Sequence, residues 1–338
     1  AFNGWSLLDN DSHDITNLYF DYIWISHEHP DHFSIPTLAK LKTSQTFLYQ
    51  ETKDKKVKTY LENKGHKVIE LPDKNQIKLN DLLITSVSCD GYDSCLIIKF
   101  PNDKIVININ DARVDLDDFL KNELKPLLGG NAVDLLMFQY SYANWAGNKG
   151  DELIPSHQQQ LVDRKNEYAI EVLKPKKVLP FASFIYFSHE ENFYCNEKNW
   201  LDHVIDLFSK KSSQLILPSP DQIISLEDNN LYDLKKTNKI ARDFWMDKSK
   251  NLKIISKSKL FSLENLKEAY ENFFINLHKK NTLLPKIETS ENFVIFVKIK
   301  DLDLMVSIGL LKKHFIVEKN SSNFCVNLSS ETFSFLMN

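Results

Sequence analysis

Three histidines and an aspartate lie within six residues of this chain, as His27, His29, Asp31 and His32. They follow an apolar run at residues 22–25, of the kind that buried parallel strands contain. A short loop at the end of a strand can point several of these side chains into one cleft. Because neutral imidazole and carboxylate groups bind Zn²⁺ or Fe²⁺, the spacing predicts a metal site. A solvated polar loop is the competing interpretation.

The His-x-His-x-Asp-His pattern after a strand resembles the metal loop of the metallo-β-lactamase-fold superfamily. The resemblance implies an α/β protein, an αββα sandwich with a dinuclear metal site at one edge of two facing sheets. It implies that His27 and His29 bind one metal ion, and that Asp31 and His32 bind the other. Because this fold hosts many chemistries, the resemblance does not name a substrate.

The superfamily completes its site with a third histidine, a bridging aspartate and a final histidine from later strand ends. Asp111 follows the strand predicted at 105–109 and is the candidate bridging ligand, although a turn or helix-cap aspartate would look the same. His189 is the candidate for the final histidine, and His203 is the second candidate. His189 could also be a surface histidine without a metal role.

The expected third histidine is missing. His66 is the only histidine between His32 and Asp111, and it comes too early in a polar turn. At the expected strand end we choose Asp90 as the ligand, with Cys89, Asp93 or a vacant position as alternatives. A carboxylate in place of an imidazole favours iron or manganese over zinc and suits O₂ activation.

A closer resemblance covers roughly residues 20–200 and points to the CMP-N-acetylneuraminic acid hydroxylases. Segments 25–38, 93–98 and 108–111 carry it, and segments 139–141 and 174–182 also fit. These hydroxylases have a Rieske cluster, which needs Cys-x-His pairs. No cysteine in this chain has a histidine two residues away. We therefore expect no iron–sulfur cluster in this chain, with electrons from a separate donor or, if the chain is a fragment, from a cluster domain lost upstream.

A loop dense in amides and aromatic rings follows the strand predicted at 133–138. Such a loop at a strand end can line a substrate pocket, although an ordered structural loop is an equal alternative. The predicted substrate-binding residues are Tyr140, Tyr142, Asn144, Trp145, Asn148 and, further along the chain, Asn192.

Two enzymatic hypotheses follow. The first is a non-haem iron oxygenase or hydroxylase that acts on a polar small molecule or a sugar nucleotide. It would hold two divalent metal ions, with iron preferred and zinc or manganese as alternatives. The second is a zinc hydrolase that cleaves a phosphodiester, amide or lactone, with Asp31 as the catalytic group that orients or deprotonates the nucleophile. A non-catalytic scaffold is a third hypothesis, and the intact metal motif argues against it.

Composition narrows the class of protein. The 338 residues carry a net charge of −4, which argues against a nucleic-acid partner. No apolar run of about 18 residues predicts a membrane span. Four widely separated cysteines favour a reducing, cytoplasmic setting.

The predicted organisation is a metallo-β-lactamase-like catalytic domain at 1–245 and a smaller α+β accessory domain at 246–338. The boundary lies in the polar region near 240–255. We expect the first hairpin of the superfamily to be missing before Ala1. Helices are predicted at 115–124, 157–173 and 263–279, among others.

Overall fold

The structure is a computed structural model. It describes residues 4–9, 20–41, 45–89, 92–116, 118–142, 153–196, 200–209, 214–220, 222–227, 231–281, 293–319 and 325–337. The chain divides into two compact units. The first comprises residues 1–188 and 192–253, and the second comprises residues 189–191 and 254–338.

A small parallel sheet in the first unit carries the metal motif. Its strands lie in the order β2 (Ile23–Ile25), β3 (Thr46–Gln50) and β4 (Lys67–Leu71). Helix α1 (Ile35–Leu38) follows the motif, and α2 (Lys56–Asn63) connects β3 to β4. The apolar residues of α2 pack on the outer face of this sheet, in a cluster that includes Ile25, Phe47, Tyr49, Val57 and Leu61.

A seven-stranded sheet forms the second β layer of this unit, in the order β12-β10-β9-β8-β7-β6-β5. Strands β5 to β8 are antiparallel neighbours, whereas β8, β9, β10 and β12 run parallel. The strands are β5 (Gln76–Leu79), β6 (Leu82–Cys89), β7 (Asp93–Lys99), β8 (Ile105–Asn110), β9 (Leu135–Gln139), β10 (Lys177–Ala182) and β12 (Gln214–Leu215).

Successive side chains of a strand point to opposite faces, so each sheet has one face that can pack against the other sheet. Ile84 and Leu96 of the large sheet pack with Leu48 and Leu71 of the small one. The other face of the large sheet packs against α3 (Leu153–Leu173) and α4 (Trp200–Ser209), through residues that include Ile97, Ile107, Ile170 and Val204. The layers are therefore helix, sheet, sheet and helix, so the predicted αββα sandwich is confirmed.

Further elements complete the first unit. Helix α5 (Leu231–Ser249) packs Leu234 beside the strands β8 to β10. Strand β1 (Trp5–Leu7) pairs with β11 (Ile185–Phe187) in a small antiparallel sheet. A 3-10 turn spans Phe193–Asn196.

The helix predicted at 115–124 does not form as a whole. A π-helical turn at Leu120–Leu124 and a 3-10 turn at Lys125–Leu128 stand in its place. Asp118 has a left-handed backbone with φ of 54°. A right-handed helix cannot continue through that conformation.

The second unit is an α+β fold around its own core. Its sheet has the order β15 (Phe315–Glu318), β14 (Leu304–Gly309), β13 (Val294–Ile299) and β16 (Val326–Leu328). Helices α6 (Leu263–Lys280) and α7 (Ser330–Met337) contribute Tyr270 and Phe333 to that core. None of the helices in the described ranges is long and apolar enough to cross a bilayer.

Candidate metal centre

The metal motif occupies the loop that leaves β2. The backbone amides of His32 and Phe33 donate to the carbonyl of His29, at 2.9 Å and 2.7 Å, so the loop turns tightly. Ser34 then caps helix α1, because its hydroxyl accepts a hydrogen bond from the amide of Thr37. The loop is thus fixed at one end by a strand and at the other by a capped helix.

The large sheet brings two carboxylates to the same edge. Asp111 directly follows the last residue of β8, and Asp93 is the first residue of β7. Strands β7 and β8 are antiparallel neighbours, so the start of one lies beside the end of the other. These carboxylates face the loop from β2 because the two sheets are stacked.

Asp111 and His32 form the first part of the cluster. His32 Nε2 lies 3.4 Å from Asp111 Oδ2 and 3.3 Å from Asp31 Oδ2. His27 Nε2 lies 4.0 Å from the same Asp111 oxygen, and the His27 side chain is fully buried. Ligand atoms of His27, His32 and Asp111 all lie within 4.8 Å of one another.

His27 also belongs to a second group, with His29 and Asp93. His27 Nε2 lies 2.8 Å from His29 Nδ1, whereas Asp93 Oδ1 lies 3.2 Å from the opposite nitrogen, His27 Nδ1. A neutral imidazole has one lone pair, so His27 can be a ligand through one nitrogen only. Since Nε2 faces His29 and Asp111, Asp93 lies behind the ring.

The cluster fits a metal ion. Within the described residues, Asp111 Oδ1 is shielded from solvent and has no hydrogen-bond partner. A buried carboxylate oxygen without a donor is costly in a protein, and a cation removes that cost. The nitrogen and carboxylate donors of the cluster are ligands that zinc, iron and manganese accept. His27, His29, Asp31, His32 and Asp111 would hold the metal.

Burial and charge set the protonation of the metal-free cluster. Burial lowers the pKa of His27, and the nearby His32 lowers it further, to about 4. Burial also lowers the pKa of His32, but its hydrogen bonds with Asp111 and Asp31 outweigh that effect and raise the pKa to about 9. Burial raises the pKa of Asp111, but the hydrogen bond and charge of His32 lower it to about 2. The metal-free cluster therefore holds a neutral His27 and a protonated His32 near pH 7.

These shifts predict how the stability of the metal-free protein depends on pH. Between pH 4 and 6.5 only the unfolded chain takes up a proton at His27, so the free energy of unfolding rises with pH. Between pH 6.5 and 9 only the folded chain keeps a proton on His32, so the free energy of unfolding falls. Urea titrations should show a maximum near pH 6.5, with each limb worth about 1–3 kcal/mol.

The variant His32→Gln provides the control for this profile. It keeps a polar side chain but cannot hold the extra proton, so the alkaline decline should disappear. An alkaline decline that persists unchanged in His32→Gln would contradict the assignment.

The structure brings five of the predicted ligands together, namely His27, His29, Asp31, His32 and Asp111. Asp90 lies outside the described residues. His189 belongs to the second unit, where its backbone bridges to Ser256 and its Nδ1 accepts from the amide of Glu191 at 3.2 Å. Neither metal group includes it. The rival His203 pairs with Asp163 at 2.7 Å. A metal role for Asp90 or His189 stays a prediction.

The predicted substrate-binding residues have varied surroundings. Tyr140 and Tyr142 are buried, and the Tyr142 hydroxyl donates to the carbonyl of Cys195 at 3.3 Å. The Asn192 side chain donates to the carbonyl of Gly4 at 2.9 Å. Three others, Asn144, Trp145 and Asn148, lie outside the described residues. A substrate role for this set stays a prediction.

Sequence reasoning missed two polar residues at the back of the cluster, Ser26 and Asn110. Both are buried, and Asn110 donates to the Ser26 hydroxyl at 2.6 Å. Each is adjacent in sequence to a predicted ligand, which is the signal that could have found them. A buried polar residue at the end of a strand, or directly after it, needs a partner.

The stacked sheets, and the metal motif at their edge, define a protein of the metallo-β-lactamase fold. No protein-family model matches the chain. The sequence is 25% identical over 299 residues to the cytidine monophosphate-N-acetylneuraminic acid hydroxylase of Xenopus laevis, which covers 81% of this chain and 50% of that protein. The enzyme of the same name from Danio rerio is 24% identical over 325 residues, covering 86% of this chain and 53% of that protein. The chain thus spans about half the length of the curated relatives it matches.

Solved structures with a partial likeness include a hydroxylase and a hydrolase. CmlA, a diiron β-hydroxylase from Streptomyces venezuelae, is 13% identical with a TM-score of 0.42, covering 58% of this chain and 43% of that chain. An isothiocyanate hydrolase from Delia radicum gut bacteria is 13% identical with a TM-score of 0.45, covering 64% of this chain and 80% of that chain.

Proposed function

We propose that this chain is a dinuclear non-haem iron oxygenase that hydroxylates a polar small molecule or a sugar nucleotide. The observation that carries the proposal is the donor set of the cluster. In the part of the chain that the structure describes, no third imidazole joins His27 and His29, and the carboxylates of Asp111 and Asp31 complete the donor set with His32. Such carboxylate-rich sites favour iron or manganese over zinc.

His66 is the only histidine in the sequence between His32 and Asp111, and it packs in the core away from the metal groups. His66 is buried, and its ring packs edge-on against Phe47 with centroids 5.0 Å apart. It belongs to neither metal group. Similarity to the sialic acid hydroxylases over most of this chain adds support for an oxygenase.

Bound iron would supply the redox chemistry of O₂. The residues of this chain would hold that metal and keep its surroundings anionic. Asp111 offers two carboxylate oxygens, one of them without a donor, and so suits a bridging position. Asp31 is the most exposed carboxylate of the cluster, at 34%, and contacts His32. We propose that it holds or passes a proton on the solvent-exposed side of the cluster.

The overall reaction defines the partner that this function needs. Hydroxylation breaks a C–H bond and forms a C–OH bond with one oxygen atom of O₂. The other oxygen atom leaves as water, which takes two electrons and two protons. We propose that a separate electron-carrier protein supplies these electrons and that the reaction takes place in the cytoplasm. The wide spacing of the four cysteines along the sequence supports a reducing compartment.

The proposal is tested by isotope labelling. The iron-loaded chain is reduced chemically, supplied with CMP-N-acetylneuraminic acid and other sugar nucleotides, and exposed to ¹⁸O₂. Mass spectrometry should find one labelled oxygen atom in the product. A product labelled only from H₂¹⁸O, formed equally well without O₂, would reject the oxygenase and favour the zinc hydrolase. The zinc hydrolase is supported by the three imidazoles of the loop, because imidazoles are suitable zinc ligands.

A further inference from the structure

One buried hydroxyl lies directly behind two of the imidazoles of the metal cluster. Ser26 Oγ is 3.0 Å from His27 Nδ1 and 3.3 Å from His32 Nδ1. The side-chain amide of Asn110 donates to the same oxygen at 2.6 Å. Both Nε2 atoms point the other way, toward Asp111. Ser26 thus contacts the metal-facing rings through the nitrogens that a metal would leave unused.

The number of protons around this hydroxyl limits how the rings can be arranged. A serine hydroxyl has one proton and two lone pairs, and the Asn110 amide occupies one of those lone pairs. One lone pair remains, so Ser26 can accept from one imidazole only. Asp93 Oδ1 lies 3.2 Å from His27 Nδ1, close enough for its charge to favour a proton on that nitrogen. Ligation through both Nε2 atoms then places the Nδ1 proton of His32 toward Ser26 and the Nδ1 proton of His27 toward Asp93.

This arrangement leaves both Nε2 lone pairs available to a metal. A ring that carries its proton on Nδ1 has a free lone pair on Nε2, which is the nitrogen that faces the carboxylates here. Partners that fix the ring orientation of a ligand histidine raise its affinity for metal. Without Ser26 or Asp93, each ring could turn or move its proton to Nε2 and lose the metal-facing lone pair.

Both sheets hold the Ser26 hydroxyl in place. The carbonyl of Ser26 accepts from the hydroxyl of Ser94 at 2.7 Å and from the side-chain amide of Gln50 at 3.3 Å. Ser94 is on β7 of the large sheet, and Gln50 ends β3 of the small sheet. Asn110 has a left-handed backbone with φ of 54°, a conformation that asparagine tolerates better than most residues. The hydroxyl is therefore positioned before any metal binds.

We propose that Ser26 and Asp93 are positioning residues, which hold the Nδ1 protons of His32 and His27 so that both Nε2 atoms face the metal. The inference rests on the proposed function only to the extent that this cluster binds metal. It assigns Asp93 a place behind His27 and leaves the position beside His29 to another ligand.

The first test measures the affinity of the full chain for Zn²⁺ alone, by competition with a chromophoric chelator. Ser26→Ala should weaken binding about 10- to 100-fold, the usual effect of losing such a partner. Ser26→Thr keeps the hydroxyl and should restore most of the affinity. Ser94→Ala is the matched control, because its hydroxyl contacts the Ser26 carbonyl and neither ring. An equal loss in Ser26→Ala and Ser94→Ala would indicate a merely structural role and overturn the proposal.

Asp93 is tested by a pair of substitutions. Asp93→Ala removes the carboxylate that faces His27 Nδ1 and should weaken Zn²⁺ binding to a similar degree. Asp93→Asn keeps a carbonyl oxygen at that position, so it should retain a large part of the affinity. An amide is a poor metal ligand, so an Asp93→Asn protein that binds as weakly as Asp93→Ala would make Asp93 a ligand and overturn this part of the proposal.

Nitrogen-15 NMR of the Zn²⁺-loaded chain shows directly which ring nitrogen of each histidine carries the proton. Wild-type His27 and His32 should both carry the proton on Nδ1, and the His32 signal should exchange faster with water in Ser26→Ala. Unchanged exchange and unchanged affinity in Ser26→Ala would overturn the inference and leave the proposed function intact. A wild-type chain that binds no Zn²⁺ at all would overturn both.

Discussion

Replacing Asp111 with asparagine is expected to reduce the bound metal from about two ions per chain to one or none and to lower activity at least about 100-fold. Asp111 Oδ2 lies near both His27 and His32. Its other oxygen, Oδ1, is buried and has no hydrogen-bond donor among the described residues. An amide keeps the size of the side chain but removes the charge and one ligand oxygen. Elemental analysis after gel filtration, together with the turnover rate, measures both effects.

The neighbouring Asp115 provides a matched control for that experiment. It lies on the same loop, and both of its carboxylate oxygens pair with Arg113, at 3.0 Å and 3.2 Å. Asp115→Asn removes the same charge and should keep the full metal content. Equal metal loss in the two variants would mean that the loop's negative charge, and not ligation by Asp111, retains the metal.

Replacing His27 with alanine is expected to abolish tight metal binding altogether. His27 is the residue shared by both groups that could hold a metal, and its ring is fully buried. Its loss removes a ligand and also leaves Asp93 without the ring it contacts. We expect the affinity for the first metal ion to fall by more than about 100-fold, a larger effect than that of any partner behind the rings. Chelator competition with Fe²⁺ under anaerobic conditions measures this change.

A second buried histidine, His66 just before β4, separates the effect of ligation from the effect of folding. His66 packs against Phe47, and burial lowers its pKa. His66→Ala should destabilise the fold by about 1–3 kcal/mol, as core truncations do, with unchanged metal affinity. A His27→Ala protein that folds and binds metal like His66→Ala would show that the cluster is not the metal site.

Sequence could predict those ligands that lie close together along the chain. His27, His29, Asp31 and His32 lie in one tight loop, so their proximity follows from their spacing. Asp111 could be added because it ends a neighbouring strand. The choice of Asp90 over Cys89 and Asp93 had no firm basis in local sequence, because it depends on how β6 and β7 pair. That hairpin pairs Cys89 with Asp93, which brings Asp93 to the sheet edge.

Helix α5 and strands β1 and β11 were not predicted, because their patterns of apolar residues are sparse or very short. Helix α5 buries Leu234, Ala241 and Trp245 among many charged residues, so the polar region around it was interpreted as a boundary. Strands β1 and β11 have three residues each and are formed by pairing across more than 170 positions. Such pairing depends on the folded sheets and leaves little local signal.

The most direct test of the account is the metal content of the chain purified under anaerobic conditions without added metal. We expect about two iron ions per chain, as a dinuclear carboxylate-rich site requires, and an absorption change when the reduced protein meets O₂. The same measurement on Asp111→Asn should show the iron content fall. About two zinc ions per chain, with no response to O₂, would contradict the oxygenase and indicate a hydrolase of the same fold.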